Sequence, residues 1–139
     1  MRVIRRVFIN GDAFDRAQAL RAVNAELGNQ RLGPRLHGEI DGAIRIAVRR
    51  GILDNSNGEL RLLARSLEDY DRNFLKKQFL AAMGRGWLER EEAIRMLSRW
   101  MGYSRTTEGM MAVGKSLING LIREGMLEVE GRERVRRMK

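Results

Sequence analysis

The sequence of 139 residues contains no cysteine and only one histidine, His37. The absence of cysteine excludes disulfides, zinc sites built from thiolates and cysteine nucleophiles. A single histidine also argues against a metal site made of histidines and against a Ser-His-Asp triad. We therefore predict a protein that is not an enzyme and that has no metal, no cofactor and no small-molecule substrate.

The sequence also lacks long hydrophobic runs. No apolar stretch approaches the roughly 18 residues that indicate a membrane helix, and Met1–Asn10 is too charged for the apolar core of a signal peptide. We expect a soluble, cytoplasmic protein without a membrane partner, located at the nucleoid if it binds DNA.

Positive charge is what the sequence has in excess. Its 27 Lys and Arg residues outweigh 18 Asp and Glu residues and leave a net charge of +9. Most of the basic residues are arginine, which forms paired hydrogen bonds with phosphates, although a GC-rich genome would produce the same bias. Both halves of the chain are basic, and only Arg132–Lys139 is a concentrated cluster. This composition favours a polyanion as the partner.

The chain repeats itself at an offset of 74 residues. When residues 14–53 are placed beside residues 88–127 without gaps, nine of the forty positions are identical and the apolar pattern agrees. Two helices could share a 3.6-residue period by chance, but they would not also share the glycines at both helix ends. We interpret the repeat as real. The identical pairs are Arg16/Arg90, Ala19/Ala93, Arg21/Arg95, Gly28/Gly102, Arg31/Arg105, Ile44/Ile118, Arg49/Arg123, Gly51/Gly125 and Leu53/Leu127.

The first copy predicts two helices followed by a β-hairpin. After a short apolar segment at Phe14, the first helix begins at Asp15 and ends at Gly28. The second helix begins at Gly33-Pro34, with proline at its first position, and ends at Gly51. A hairpin is then predicted, in which residues 51–53 lead through a loop at 54–58 to residues 59–63, and Asn57-Gly58 is its turn signal.

The second copy follows the same plan. A short apolar segment at Leu88 precedes a helix that begins at Glu89 and ends at Gly102, and a second helix runs from Thr107-Glu108 to Gly125. Glu-Gly at 130–131 predicts the turn, and residues 132–136 the last strand. Two helices followed by a hairpin form a winged helix, a helix-turn-helix variant with a β-wing.

The whole chain is therefore predicted to be mainly α with small β-wings: a tandem winged-helix repeat joined by a packed connector helix. The first copy covers residues 1–65, including an N-terminal extension over 1–13 whose apolar part is either a short strand or a helix. The connector covers 66–86, with a capped start at Ser66–Asp69 and a helical face continuing from Tyr70 to Met83. The second copy covers 87–139 and ends in a basic tail.

Parts of both copies resemble a winged-helix module found at the C-terminus of prokaryotic superfamily I helicase-related and AAA-type ATPases. The shared pattern is a glycine that closes the first helix, an arginine about three residues later, a small residue before the long helix, and Arg-x-Gly before the wing. The resemblance covers about eighty residues and implies an accessory region of a DNA-processing enzyme with an ATPase or helicase partner. The matching stretches are Leu27–Arg35, Ala43–Arg45, Arg49–Leu53, Met101–Thr107 and Arg123–Met126.

Gly109–Ser116 also matches the pattern of a phosphate-binding loop, G-x-x-x-x-G-K-[ST]. Such a loop requires a buried strand directly before it, whereas Tyr103–Glu108 is polar. The repeat aligns the motif with Arg35–Gly42, inside a predicted helix. We interpret the match as a coincidence and predict a helix here.

We predict that double-stranded DNA contacts the second helix and the wing of each copy. Copy two is the better candidate, because Glu39 and Asp41 lie on the outer surface of the long helix in copy one and would repel phosphate. The candidate DNA-binding residues of copy two are Arg105, Thr106, Thr107, Lys115, Ser116, Asn119, Arg123, Arg132, Arg134 and Arg136. Those of copy one are Arg31, Arg35, Arg45, Arg49, Asn57 and Arg61.

Other interpretations stay open at the level of sequence. Tandem winged helices also serve as protein–protein adaptors with little or no DNA binding, and the acids on the first long helix favour that role for copy one. The recurring arginines could instead pair with Glu26 or Glu124 or cover helix ends. His37 is interpreted as a surface or half-buried residue, and the aromatic residues Trp87 and Trp100 as packing rather than base-stacking residues.

Overall fold

The computed structural model describes residues 1–138. Within them lie six α-helices, one short 3-10 helix and two small antiparallel sheets. This confirms the prediction of a mainly α fold with small β-hairpins. The chain divides into two compact units, of which unit 1 comprises Met1–Arg65 with Met101–Tyr103, and unit 2 comprises Ser66–Trp100 and the residues from Ser104 onward.

Unit 1 contains three helices and one hairpin. Its elements are α1 (Arg2–Val7), α2 (Arg16–Glu26), α3 (Pro34–Arg49), β1 (Leu53–Ser56) and β2 (Glu59–Leu62). The core lies where the three helices meet the hairpin, and its largest fully buried side chains are Phe8, Ile44, Ile52, Leu53 and Leu60.

The predicted helix boundaries of unit 1 are confirmed by their caps. The Asp15 side chain accepts a hydrogen bond from the backbone N–H of Gln18, and the Gln18 side chain accepts one from Asp15, which forms a capping box. Gly33 is the N-cap of α3, and Pro34 occupies the first turn. The N-terminal extension, which the sequence left open, is the helix α1.

Arg5 is a buried charged residue that fastens α1 within unit 1. Its Nε donates to the carbonyl oxygen of Met101 at 2.9 Å, and its Nη1 donates to that of Ala64 at 2.9 Å. The guanidinium also lies 4.0 Å from the centre of the Tyr103 ring. Backbone carbonyls and an aromatic face thus compensate for the desolvation of the charge.

The hairpin of unit 1 has a shorter connection than the sequence predicted, because residues 54–56, expected in the loop, belong to β1. Leu53 pairs with Leu62 and Ser56 with Glu59, so the register leaves residues 57–58 as the turn. Both turn residues have positive φ, 56° and 77°, as the mirror-image turn of a tight hairpin requires. Phe14, predicted only as an apolar segment, forms an isolated antiparallel bridge with the second strand.

Unit 2 has the same kinds of elements with a three-stranded sheet. They are a 3-10 helix (Leu67–Asp69), α4 (Arg72–Met83), β3 (Leu88–Glu89), α5 (Arg90–Trp100), α6 (Glu108–Arg123), β4 (Leu127–Glu130) and β5 (Arg134–Arg137). The strand order is β3-β5-β4. The helix that the sequence predicted as a connector, α4, packs against α5 and α6 in this unit.

The start of α4 differs from the prediction. Ser66 and Asp69 do form a capping box, but it caps the 3-10 turn, and Tyr70 is extended with ψ 150°. The helix begins only after Asp71, whose side chain accepts a hydrogen bond from the Phe74 N–H. The two N-caps, Ser66 and Asp71, therefore start two separate elements, which a single helical periodicity does not reveal.

The second hairpin also differs in detail. The last strand was predicted over 132–136 after a Glu-Gly turn, whereas Glu130 is still in β4 and β5 runs from Arg134 to Arg137. Gly131, with φ 63°, opens a three-residue turn. The two-residue strand β3, predicted only as an apolar segment, pairs Leu88 with Val135.

Gly109–Ser116 lies entirely in α6, which confirms the predicted helix. A phosphate-binding loop presents unpaired backbone N–H groups, whereas an α-helix uses most of them in its own hydrogen bonds. Gly114, the second glycine of the motif, is buried, and a Cβ there would lie 2.6 Å from Ile94 Cγ1 and Cγ2. Close contact between α5 and α6 thus accounts for this glycine.

Candidate nucleic-acid interface

Each unit has an open cleft beside its hairpin. The cleft of unit 1, here called cleft 1, has a volume of about 450 Å³ and is lined by Arg16, Arg45, Val48, Arg49 and Asn55. The cleft of unit 2, cleft 2, has a volume of about 480 Å³ and is lined by Glu89, Arg90, Glu91, Ile94, Lys115, Asn119, Arg132 and Glu133. Both clefts combine the start of the first helix, the outer side of the second helix and residues of the hairpin.

In cleft 1, a carboxylate outside the lining fixes two of the arginines. Asp41 Oδ1 accepts a hydrogen bond from Arg16 Nε at 2.6 Å, and its Oδ2 lies 3.0 Å from Arg45 Nη2. The hydrogen bond from Arg16 is the largest cause of a lowered pKa of the Asp41 carboxyl, and the charges of Arg16 and Arg45 add to it. Asp41 is therefore ionised and holds α2 to α3.

This geometry corrects the expected role of the acids on α3. Asp41 is not on the outer surface, because its side chain is only 16% exposed and two guanidinium groups compensate for its charge. Glu39 is exposed and pairs with Arg35 at 3.3 Å. The last turn of α3 adds Arg49, which is exposed and whose guanidinium makes no hydrogen bond or ion pair with any residue of 1–138.

Cleft 2 is balanced in charge. Three basic and three acidic side chains line it. Arg90 Nη1 donates to Asn119 Oδ1 at 3.2 Å, so this candidate DNA-binding residue already accepts a hydrogen bond within the unit. Lys115 is exposed on the same side of α6 and makes no ion pair with a described residue.

Two other polar candidates on α6 have structural partners. Thr107 caps the helix by accepting a hydrogen bond from the Met110 N–H. The Ser116 hydroxyl oxygen accepts a hydrogen bond from Arg72 Nη1 at 2.8 Å, and the Ser116 carbonyl accepts one from Nη2 at 2.9 Å. Ser116 therefore faces α4, which the sequence could not indicate.

The basic residues of the second hairpin are mostly paired. Arg134 Nη1 lies 2.8 Å from Glu130, and Arg136 pairs with Glu128. The Arg136 guanidinium also lies 4.5 Å from the centre of the Trp87 ring, in agreement with packing rather than base stacking for this tryptophan. Arg132, in the turn, is exposed and has no partner among residues 1–138.

Most of the remaining candidates of both copies are exposed. Arg61 pairs with Glu59 at 3.4 Å, and Asn57 forms the tip of the first hairpin. Exposed pairs of this kind contribute about 0–1 kcal/mol, so their arginines can exchange partners. Residues of this group without an ion pair to a described residue are Arg31, Arg105 and Arg123, while Thr106 is half-buried.

In the described part of the chain, the recurring arginines do not pair with Glu26 or Glu124, the alternative that the sequence left open. Glu26 pairs with Arg6 at 3.2 Å, and Glu124 pairs with Lys76 on α4. Within residues 1–138, neither acid forms an ion pair with Arg31 or Arg123. His37 is exposed on α3, as predicted, and Trp100 packs with its Nε1 donating to Gln78 Oε1 at 2.8 Å.

Sequence reasoning missed Arg16 and Arg90 as site residues. They occupy the same position at the offset of 74, and each keeps one buried nitrogen, Nη2 or Nε, that has no hydrogen-bond partner within residues 1–138. Their recurrence was the available signal. This recurrence alone does not indicate a function, because an arginine at the start of a helix belongs to no known functional motif.

The described part of the chain offers neither a metal site nor a membrane-spanning helix. No group of three or more His, Asp or Glu side chains there could hold a metal ion. None of the helices within 1–138 has the length and apolar character needed to span a membrane.

Comparison with known proteins gives no assignment: no protein-family model, curated protein or solved structure matches the chain significantly. The winged-helix interpretation and the helicase-associated resemblance therefore depend on the residues and geometry described above.

Proposed function

We propose that this chain is a non-catalytic double-stranded DNA-binding protein made of two winged-helix copies in tandem. The observation that carries the proposal is that both units place a helix pair beside a β-hairpin and leave unpaired cations on the outer side of the second helix. Arg49 on α3 and Lys115 and Arg123 on α6 are these cations. They suit phosphate contacts, which give orientation and affinity in DNA complexes.

The element boundaries support the tandem repeat. At the offset of 74, α2 corresponds to α5, α3 to α6 and β1 to β4, with the same first and last positions in each pair. The glycines that follow the helices also have matching φ angles. They are 85° and 83° for Gly28 and Gly102, and 77° and 76° for Gly51 and Gly125. Each unit also has a preceding helix, α1 or α4, in the same place in its order.

In this proposal the second helix of each pair enters the major groove and the hairpin contacts the backbone. Arg45 and Arg49 lie four residues apart and therefore on one side of α3, as Lys115 and Asn119 do on α6. The turn residues Asn57 and Arg132 then lie on the side of the DNA backbone. The resemblance adds the expectation that the chain is an accessory part of a DNA-processing system with an ATPase or helicase partner.

One observation favours a second function, that of a protein–protein adaptor. Cleft 2 alternates cations with Glu89, Glu91 and Glu133. Carboxylates repel phosphate, whereas a surface of mixed charge suits a protein surface of complementary pattern. A mixed use, with one unit on DNA and the other on a protein, is compatible with both clefts.

Fluorescence anisotropy with a labelled duplex tests the proposed function. We expect saturable binding at low salt with micromolar or tighter affinity, and weaker binding by the K115Q/R123Q variant because two phosphate-facing cations are lost. R21Q/K77Q is the matched control, because it removes two exposed cations outside both clefts. Absence of binding to any duplex at low salt would overturn the proposal and leave the adaptor function as the leading one.

A further inference from the structure

We propose that cleft 1, rather than its counterpart in unit 2, is the main phosphate-binding site of the chain. The identification of the phosphate as part of a DNA backbone rests on the proposed function. The preference for unit 1 reverses the expectation from sequence, and it is carried by the charges and contacts of the two clefts.

The two clefts differ first in their local charge. Cleft 1 is lined by three arginines, a valine and an asparagine, and no carboxylate lines it. With Asp41 included, three guanidinium groups and one carboxylate leave a local charge of +2. Cleft 2 has three cations and three carboxylates among its lining residues and therefore no net charge. Cleft 1 therefore attracts an approaching phosphate, whereas in cleft 2 the attraction by the cations is offset by the repulsion from the carboxylates.

Two arginine side chains of cleft 1 are also held in position by a neighbouring residue. Asp41 holds the guanidinium groups of Arg16 and Arg45 on opposite oxygens, so these two side chains are already ordered before a ligand arrives. Arg49 follows Arg45 by one helical turn on the same side of α3. Asn55 on β1 brings an amide to the other wall. Guanidinium groups bind phosphate oxygens through paired, charge-assisted hydrogen bonds.

The hydrogen bond to Asp41 does not use all the donors of the Arg16 guanidinium. Its Nε is bonded to the carboxylate, while its Nη2 is buried and has no hydrogen-bond partner within residues 1–138. A buried donor without an acceptor is unfavourable. A phosphate at the rim of the cleft, with a small rotation of the guanidinium, supplies one.

The repeat explains why unit 2 lacks the same site. At the offset of 74, Arg45 corresponds to the neutral Asn119, and Asn55 corresponds to Val129. Arg90 occupies the position of Arg16, but it donates to Asn119 and is flanked by Glu89 and Glu91. The same backbone plan thus provides an anion site in one unit and a mixed-charge groove in the other.

Two double variants that remove equal charge compare the clefts. R45Q/R49Q alters cleft 1, K115Q/R132Q alters cleft 2, and R21Q/K77Q is the control for loss of two charges elsewhere. Duplex binding is measured by anisotropy over a range of salt concentrations, with far-UV circular dichroism to check that each variant is folded. We expect R45Q/R49Q to lower the salt slope by about 2 and K115Q/R132Q to lower it by less than half as much. Equal losses, or a larger loss for K115Q/R132Q, would overturn the assignment to unit 1.

A second measurement separates this inference from the proposed function. If the wild-type chain binds no duplex, DNA binding fails, but the anion site can still be examined by titrating inorganic pyrophosphate. The readout is the ¹⁵N–¹H side-chain signals of the arginines, assigned by substitution. Saturable shifts at Arg16, Arg45 and Arg49 would support cleft 1 as an anion site. The absence of such shifts, or larger ones at Arg90 and Arg132, would overturn it.

Discussion

Two charged residues of unit 1 make contacts with parts of the chain that are distant in sequence. Arg5 reaches backbone carbonyls far away in the sequence, and Asp41 joins Arg16 on another helix to Arg45 on its own. Their contributions differ in kind. Arg5 is buried and satisfies carbonyl groups, whereas Asp41 is an ionised link between α2 and α3.

The ionisation of Asp41 makes a prediction about pH. Because the folded state lowers the pKa of Asp41, its contribution to stability is complete above the unfolded pKa of about 3.9. That contribution is lost as the pH falls through the lower, folded pKa. We expect D41N to be less stable than the wild type in urea unfolding at neutral pH, with a difference that shrinks in acid. The control E59Q removes an acid from an exposed pair and should change stability little. A D41N deficit that persists unchanged at the lowest pH would contradict this account.

Replacement of Arg5 tests the buried contacts. Arg5→Met keeps much of the side-chain volume but removes the donors to the Met101 and Ala64 carbonyls. We expect the free energy of unfolding to fall by about 2–4 kcal/mol. Arg6→Gln, which breaks only the exposed pair with Glu26, should cost less than about 0.5 kcal/mol. Similar costs for the two variants in urea titrations would show that the buried hydrogen bonds of Arg5 contribute little.

At the scale of elements, glycines on the two long helices have different roles. Gly114 on α6 is buried against Ile94, and an added Cβ would lie 2.6 Å from that side chain. Gly42 on α3 has no heavy atom within 4 Å of the position of a Cβ. The first glycine allows α5 and α6 to approach closely, while the second only weakens a helix.

Alanine substitution at these positions should therefore have opposite effects. Gly42→Ala should stabilise the protein by about 0.5–1 kcal/mol, because alanine favours the helix. Gly114→Ala should destabilise it by about 1–3 kcal/mol, since overpacking against Ile94 outweighs the same helix gain. Thermal and urea unfolding of the two variants measures this. A stabilising Gly114→Ala would mean that the contact between the helices adapts at low cost.

The elements differ in how well local sequence signals predict them. Helix ends were predictable because Asp15, Thr107 and the glycines after each helix act locally. The separate 3-10 turn before α4 and the two-residue strand β3 were not, because their signals are short and overlap with neighbouring patterns. For the candidate site, the sequence predicted the helices and hairpins that carry it but not the contacts of its side chains. Pairings such as Arg16 with Asp41 or Arg72 with Ser116 join elements that are distant in sequence, and only the folded chain reveals them.

For the whole molecule, total charge does not distinguish the two units. Unit 1 has twelve basic and seven acidic residues, for +5, and unit 2 has fifteen and eleven, for +4. The distribution does distinguish them, because three acids of unit 2 line its cleft and two more pair with arginines of its hairpin. Interaction with a polyanion is therefore expected to depend on a few positions in unit 1 rather than on net charge alone.

The central claim is that this chain binds the phosphates of double-stranded DNA, and the salt dependence of binding tests it most directly. Anisotropy of a labelled duplex of about 25 base pairs is measured at several salt concentrations, and the logarithm of the association constant is plotted against that of the salt concentration. Because each phosphate contact releases condensed counterions, we predict a linear decrease with a slope of magnitude about 2 or more. No binding at the lowest salt concentration, or binding with a slope near zero, would contradict the claim.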